Sequence, residues 1–164
     1  MTMSDLLAFP HPVNEKAARS VAAGVVVLTA ITLLTQAWWL TVPLALGFWA
    51  RVLTGHTLSP LGQLATRVIA PRLGTPRYVS GPPKRFAQGM GAAMTTLAAV
   101  LALAGDHTSA AVLLGLVLVA ATLESALAFC VGCKVFGLLM RLGLVPSEVC
   151  AECADIWSRP RPAG

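Results

Sequence analysis

Charge is what this chain has least of. Only 12% of its 164 residues are Asp, Glu, Lys or Arg, about half of what a soluble domain carries, roughly 25%. No polar block is long enough to build a second core, so the length allows one domain. No basic n-region and no small-residue cleavage site precedes the first apolar run, so that run is expected to stay as a mature span. No Ser-His-Asp order, phosphate-binding loop or paired-carboxylate site is present. The Gly-x-Gly at Gly89 and Gly91 lies inside an apolar stretch with no strand before it, which excludes a dinucleotide fingerprint. The net charge of +5 comes without a nucleic-acid motif, and its basic residues flank apolar runs, so a nucleic-acid partner is excluded.

Hydrophobicity fills the space that charge leaves. The chain is 56% hydrophobic, with a mean hydropathy of +0.74. This composition predicts an all-α membrane protein, a four-transmembrane-helix bundle with an interfacial amphipathic helix. Asn14 is set to cap the first helix, with Glu15 in its first turn. Residues 17–35 form the first span, since about 20 residues at 1.5 Å each cross a bilayer core. Gln36 and Ala37 make a tight turn, and Trp38 and Trp39 suit a membrane–water interface. The second span is expected over 38–53, short, with Pro43 as a candidate bend. Residues 54–85 mix five cations with five prolines. Within them Leu61, Leu64, Ala65, Val68 and Ile69 recur at helical spacing, which predicts a helix lying in the interface. The third span, 86–105, is rich in Gly and Ala and is expected at the bundle centre, because small residues let backbones approach in lipid. Asp106 and His107 turn the chain, and Ser109 or Thr108 caps the fourth span, 109–129 or longer. A short cytoplasmic tail helix is expected over 147–157.

The cations orient the bundle. Lys16 and Arg19 precede the first span, six more lie between or at the ends of the second and third, and four follow the fourth. The connections near Gln36 and Asp106 carry none. By the positive-inside rule, both termini face the cytoplasm of an inner (plasma) membrane.

The segments PVNEKAAR, LSPLGQLATRVIAP, PPKRFAQ and CVGCK followed by LLMR, in that order, resemble the bacterial integral-membrane family of unknown function known as domain of unknown function 4395. The resemblance covers the chain up to Arg141. It implies a small multi-span membrane protein and assigns no activity.

All four cysteines lie in the last quarter of the chain, as Cys130-x-x-Cys133 and Cys150-x-x-Cys153. Such a pair places two sulfurs one helical turn apart, and thiol exchange needs one thiolate to attack and a second to resolve. Lys134 adjoins Cys133 and favours a thiolate. A break of the fourth span at Gly132 would start a new helix near Cys130 and favour it further. Glu148, Glu152 and Asp155 surround the second pair and disfavour its thiolates. The thiol reading makes Cys130 and Cys133 the reactive pair of a thiol–disulfide redox or sulfur-transfer component. Its partner would be a soluble thioredoxin-like or sulfurtransferase protein. The alternative is a non-enzymatic assembly subunit: 16 residues separate Cys133 from Cys150, a recognised zinc spacing. Four thiolates from Cys130, Cys133, Cys150 and Cys153 would then hold structural zinc or a cluster. The third option is four small apolar residues without chemistry. A homo-oligomer remains open on any of these readings.

Glu124 is the one charge inside the last apolar run. A carboxylate there costs about 2.5–3.5 kcal/mol on insertion scales, so it should face the bundle interior. It is either a proton acceptor beside a thiol or quinone site, or a lock hydrogen-bonded to Thr95, Thr96 or Ser125. On one continuous helix it lies about 120° from Cys130, on a different face. His11, His56 and His107 fall at loops or span ends, where ligation is the lesser reading.

Overall fold

The computed structural model describes residues 12–150. The fold is mostly helical. Helix α1, Glu15–Thr35, begins as expected: the Asn14 side chain accepts from the Lys16 backbone N–H at 3.0 Å. It ends where Gln36 turns left-handed at φ 54°. A single 3-10 turn, Trp38–Leu40, leads into α2, Thr41–Thr54. Pro43 falls in the first turn of α2, where backbone N–H groups have no partner in the helix, so it starts the helix and need not bend it.

The interfacial segment, α3, is a run of three short pieces: Pro60–Leu64, a π turn over Ala65–Ile69, and a last turn over Ala70–Arg72. It rests on α1, where Leu61 covers Gly24, and Gly62, Ala65 and Ala70 are buried, Gly62 against His56 and Ser59. Leu64 and Val68 point outward, so the apolar positions at helical spacing are shared between two faces. Helix α4, Gly81–Leu103, starts five residues before its expected first residue, because Pro82 and Pro83 suit a first turn and not a leading loop. Helix α5 spans His107–Leu127, with Asp106 as its cap, accepting from the Ser109 N–H at 3.0 Å. That corrects the expected cap at Thr108 or Ser109. Helix α6 covers Val131–Arg141.

Two residues before α1 pair with two residues before α4. Strand β1, Val13–Asn14, runs antiparallel to β2, Tyr78–Val79, with Val13 opposite Val79. The Glu15 N–H donates to the Arg77 carbonyl at 2.7 Å, and the Arg77 and Glu15 side chains form an ion pair at 3.0 Å. Composition offered no cue for this ribbon.

Helix α4 packs against α2, α5 and α6, and α1 against α5. This is the central position that its small residues suggested. The interior is built from Ala92, Ala98, Ala110, Leu114 and Phe48, with Thr29, Thr32 and Thr95 fully buried among them. Thr32 and Thr95 donate back to the carbonyls of Leu28 and Gly91 in their own helices. Large apolar side chains lie outside instead: Leu34 is 84% exposed and Leu103 80%. Small residues inside and large apolar ones outside suit helices packed in lipid. Three helices, α1, α4 and α5, are long and apolar enough to cross a membrane. Helix α2, at 14 residues, is shorter.

Candidate functional site

The site is built at a break between α5 and α6. Helix α5 stops at Leu127 because Ala128 adopts a left-handed conformation, φ 54°. Such a conformation costs roughly 1–2 kcal/mol for a residue with a Cβ. The N–H groups of Ala128 and Phe129 both turn back to the Leu123 carbonyl. The carbonyls left open at the helix end are taken from elsewhere. Arg19 of α1 donates to Ser125 O through Nε and Nη2, both at 3.0 Å, and to Ala126 O at 3.2 Å. A cation at a helix C-terminus also complements its dipole.

Cys130 then caps α6. Its Sγ accepts from the Cys133 backbone N–H at 3.4 Å. A new helix does begin beside Cys130, but the break lies at Ala128 and not at Gly132. Gly132 has a different reason to be glycine. A Cβ there would come within 2.5 Å of Ala87 Cβ and 2.6 Å of Ala87 Cα. The start of α6 is therefore pressed directly onto the α4 backbone.

The break also reorients the site. Cys130 and Glu124, on different faces of one continuous helix, line the same cavity once the helix is interrupted. Cys130 is 8% exposed, and both cysteines are free thiols. Glu124 bonds none of the hydroxyls expected for it: Thr95 and Ser125 donate to backbone carbonyls, and Thr96 donates to Ala92 O while accepting from Trp49. Its partner is Lys84, in the first turn of α4, in a largely buried ion pair. The cation near the thiols is accordingly Lys84. Lys134, expected in that role, lies over the Phe129 ring at 5.7 Å.

These neighbours separate the two thiols. A hydrogen bond from Cys133 holds the Cys130 thiol below the ordinary thiol value, with Lys84 adding to it against burial and Glu124. The same hydrogen bond pushes Cys133 far above that value, with burial and the Cys130 charge acting in the same direction. The two sulfurs are thus shifted in opposite directions, Cys130 toward the thiolate and Cys133 toward the thiol.

Lys84 was legible only as an orienting charge. A signal for its pairing did exist: a lone carboxylate inside a span calls for a cation at the same depth, and Lys84 opens the helix beside it. Gln88 and Arg51 were also missed. Arg51, 5% exposed, donates from Nε to Gln88 Oε1 at 2.9 Å and lies over the Phe48 ring at 4.5 Å. Among the described residues no group of three or more His, Cys, Asp or Glu is placed to hold a metal. Cys153 and the side chain of Cys150 lie outside the described residues, as does the tail helix beyond Cys150.

The fold and this geometry define a mostly helical protein with three described helices long and apolar enough to cross a membrane, and with a thiol pair held at a helix break beside an ion pair. Residues 13–141 match the family model described as a domain of unknown function, DUF4395, and the chain belongs to that family. The matched residues contain Lys84, Glu124, Cys130 and Cys133, and end before Cys150. No curated protein and no solved structure matches the chain.

Proposed function

We propose that the protein is a four-span bundle of the bacterial plasma membrane, with both termini cytoplasmic, and that it carries a cytoplasm-facing thiol–disulfide site at Cys130 and Cys133. Counting α2 as a span is supported by its 3-10 lead-in and by Trp38 and Trp39 at its outer edge. The orientation is supported by the clustering of cations at one end. Arg19 meets the end of α5 there, and Arg85 of α4 donates to Val52 O near the end of α2. The opposite turns, at Gln36 and Asp106, have no Lys or Arg.

The observation that carries the thiol reading is Cys130 at the N-cap of α6, accepting from Cys133. A helix N-terminus favours a thiolate. In the oxidised form, a thiolate of a soluble thioredoxin-like or sulfurtransferase partner attacks Cys133, the less buried residue of the pair. The Cys130–Cys133 bond breaks, and Cys130 leaves as the better-stabilised thiolate. The partner's second thiolate then attacks its own mixed-disulfide sulfur. The partner departs with a disulfide, and Cys133 leaves as a thiolate that takes up a proton. Two electrons pass from the partner to the pair. Glu124 and Lys84 lie where that proton can be held.

Titration in glutathione redox buffers tests this, with differential alkylation and mass analysis in membranes. The expected result is a single two-electron step joining Cys130 to Cys133. Failure of the pair to close over the whole range of buffers would remove the reading. The four-cysteine metal site is the competing proposal. One zinc per chain, lost on changing any cysteine, would replace the first reading with the second.

A further inference from the structure

The cavity behind Cys130 has no part in exchange with a soluble protein. It measures about 90 Å³, is open on one side, and runs from Cys130, Val131 and Gly132 toward Val25, Met94 and Val117 in the bundle interior. Its walls are chiefly apolar, and its polar groups are few: Glu124, the Cys130 sulfur and the Gln88 amide. Gln88 is among the lining residues; Arg51 Nε donates to its Oε1 at 2.9 Å, so the NH2 is the end of that amide that Arg51 does not engage. An apolar slot with a few convergent polar groups is the usual form of a small-molecule site. An amide donor selects an occupant that carries a carbonyl oxygen. The buried sulfur at its mouth, 8% exposed, is more accessible to a small lipophile than to the surface of a protein.

We propose that this cavity receives the ring edge of a lipid-soluble quinone, which re-forms the Cys130–Cys133 disulfide; the proposal rests on the thiol reading above. The two S–H bonds are lost and one S–S bond forms. The two electrons reduce the quinone to a hydroquinone. Its two protons are those of the two thiols, so the step balances as two thiols and a quinone giving one disulfide and one hydroquinone. The ring enters edge first, with Gln88 donating to one carbonyl, and the isoprenoid tail stays in lipid. The site thus returns electrons taken from a cytoplasmic thiol partner to the membrane quinone pool.

The test uses the full chain reconstituted in nanodiscs, reduced, and freed of reductant under nitrogen. A short-tailed ubiquinone or menaquinone analogue is added. Hydroquinone is read by absorbance, and the disulfide by differential alkylation. About one hydroquinone per chain is expected, with Cys130 joined to Cys133. Ala121→Phe fills the cavity from α5 without altering a cysteine, and Gln88→Leu removes the amide. Each should slow quinone reduction by about tenfold or more while leaving oxidation by the water-soluble reagent diamide unchanged. If diamide closes the pair and quinone does not, the quinone assignment is overturned and the thiol reading stands. If quinone oxidises wild type and both variants equally, the cavity is not the site and the proposal is likewise overturned. If neither oxidant closes the pair, the thiol reading falls and this proposal falls with it.

Discussion

The two ends of the bundle are held together by different physics. At the cation-rich end, polar contacts tie the helices to one another. Lys84 pairs with Glu124, Arg19 with the α5 carbonyls, Arg77 with Glu15, Lys16 Nζ with Leu73 O at 2.6 Å, and β1 with β2. At the other end one ring stack joins the two turns: Trp38 and His107, centroids 4.9 Å apart and 7° from parallel. The first end is over-determined and tolerates a strained Ala128. The second needs only to reverse the chain twice. Irregular, costly backbone persists where surrounding contacts fix it, and at Ala128 it lies beside the chemistry-bearing side chains, whereas Gln36 takes the same left-handed angle, φ 54°, at the far end.

Breaking the rich end should cost most. Lys84→Met leaves Glu124 largely buried and unpaired, and such a loss costs about 3 kcal/mol or more. Thermal unfolding in detergent should show a large fall in Tm. The double change Lys84→Met with Glu124→Leu should recover much of it, since it removes both charges. A double variant no more stable than the single one would mean that the pair does not bind the two helices.

Gly132→Ala comes next. The new methyl meets the α4 backbone, which cannot rotate away, and overpacking of this kind costs about 1–3 kcal/mol. Because α6 must lift from α4, alkylation of Cys130 should accelerate as stability falls. Gly24→Ala offers a contrast, since its methyl would meet only the Leu61 side chain, at 2.5 Å, and a side chain can move. Equal losses in the two variants would show that α6 is not pressed onto α4 as described.

The sparse end should lose least. Trp38→Ala removes the stack, and an aromatic pair contributes about 0.5–1.5 kcal/mol beyond its burial. The expected result is a small fall in Tm with no change in thiol reactivity. Altered alkylation of Cys130 in this variant would mean that the two ends are coupled.

The last prediction sharpens the comparison inside the rich end. Cys130 titrates below the ordinary thiol value and Cys133 far above it. Alkylation at neutral pH should therefore favour Cys130 per unit of exposure, and the apparent rate should fall as pH drops through its lowered value. A depressed folded pKa stabilises the fold at pH above the unfolded thiol value, and that contribution is lost as pH falls through the folded one. Cys130→Ser should remove this dependence, whereas Cys133→Ala should keep a titration and shift it upward by loss of the thiol donor. In the thiol reading, changing Cys130 or Cys133 abolishes turnover, whereas changing Cys150 or Cys153 only slows it.

Much of the architecture was written in plain patterns. Asn14, the apolar runs, the tight turn at Gln36 and the small residues of α4 all announce themselves, because long apolar helices need long apolar runs and close packing demands small residues. The site was only half legible. The Cys-x-x-Cys pair and Glu124 stand out by residue type. The break at Ala128 does not, since alanine is the strongest helix former and nothing local calls for a stop there. Tertiary contacts impose it: Arg19 takes the α5 carbonyls, and Gly132 lets α6 fold onto Ala87. From that hidden break follow the replacement of Lys134 by Lys84 and the meeting of Glu124 with Cys130. The far-end pairing of Trp38 with His107 was likewise unreadable, because both residues fit their turns separately.

The two-residue ribbon between Val13–Asn14 and Tyr78–Val79 has a consequence for biosynthesis. Its strands lie just before α1 and α4, so it cannot form while only α1 and α2 have left the ribosome. Helices α1 and α2 must wait with the β1 edge unpaired until Tyr78 and Val79 emerge. Closure of so distant a contact is slow by nature, and here it coincides with the arrival of α4, the helix against which α2, α5 and α6 pack. The ribbon is thus a latch on assembly order: it shuts when the central helix enters and fixes the early hairpin around it.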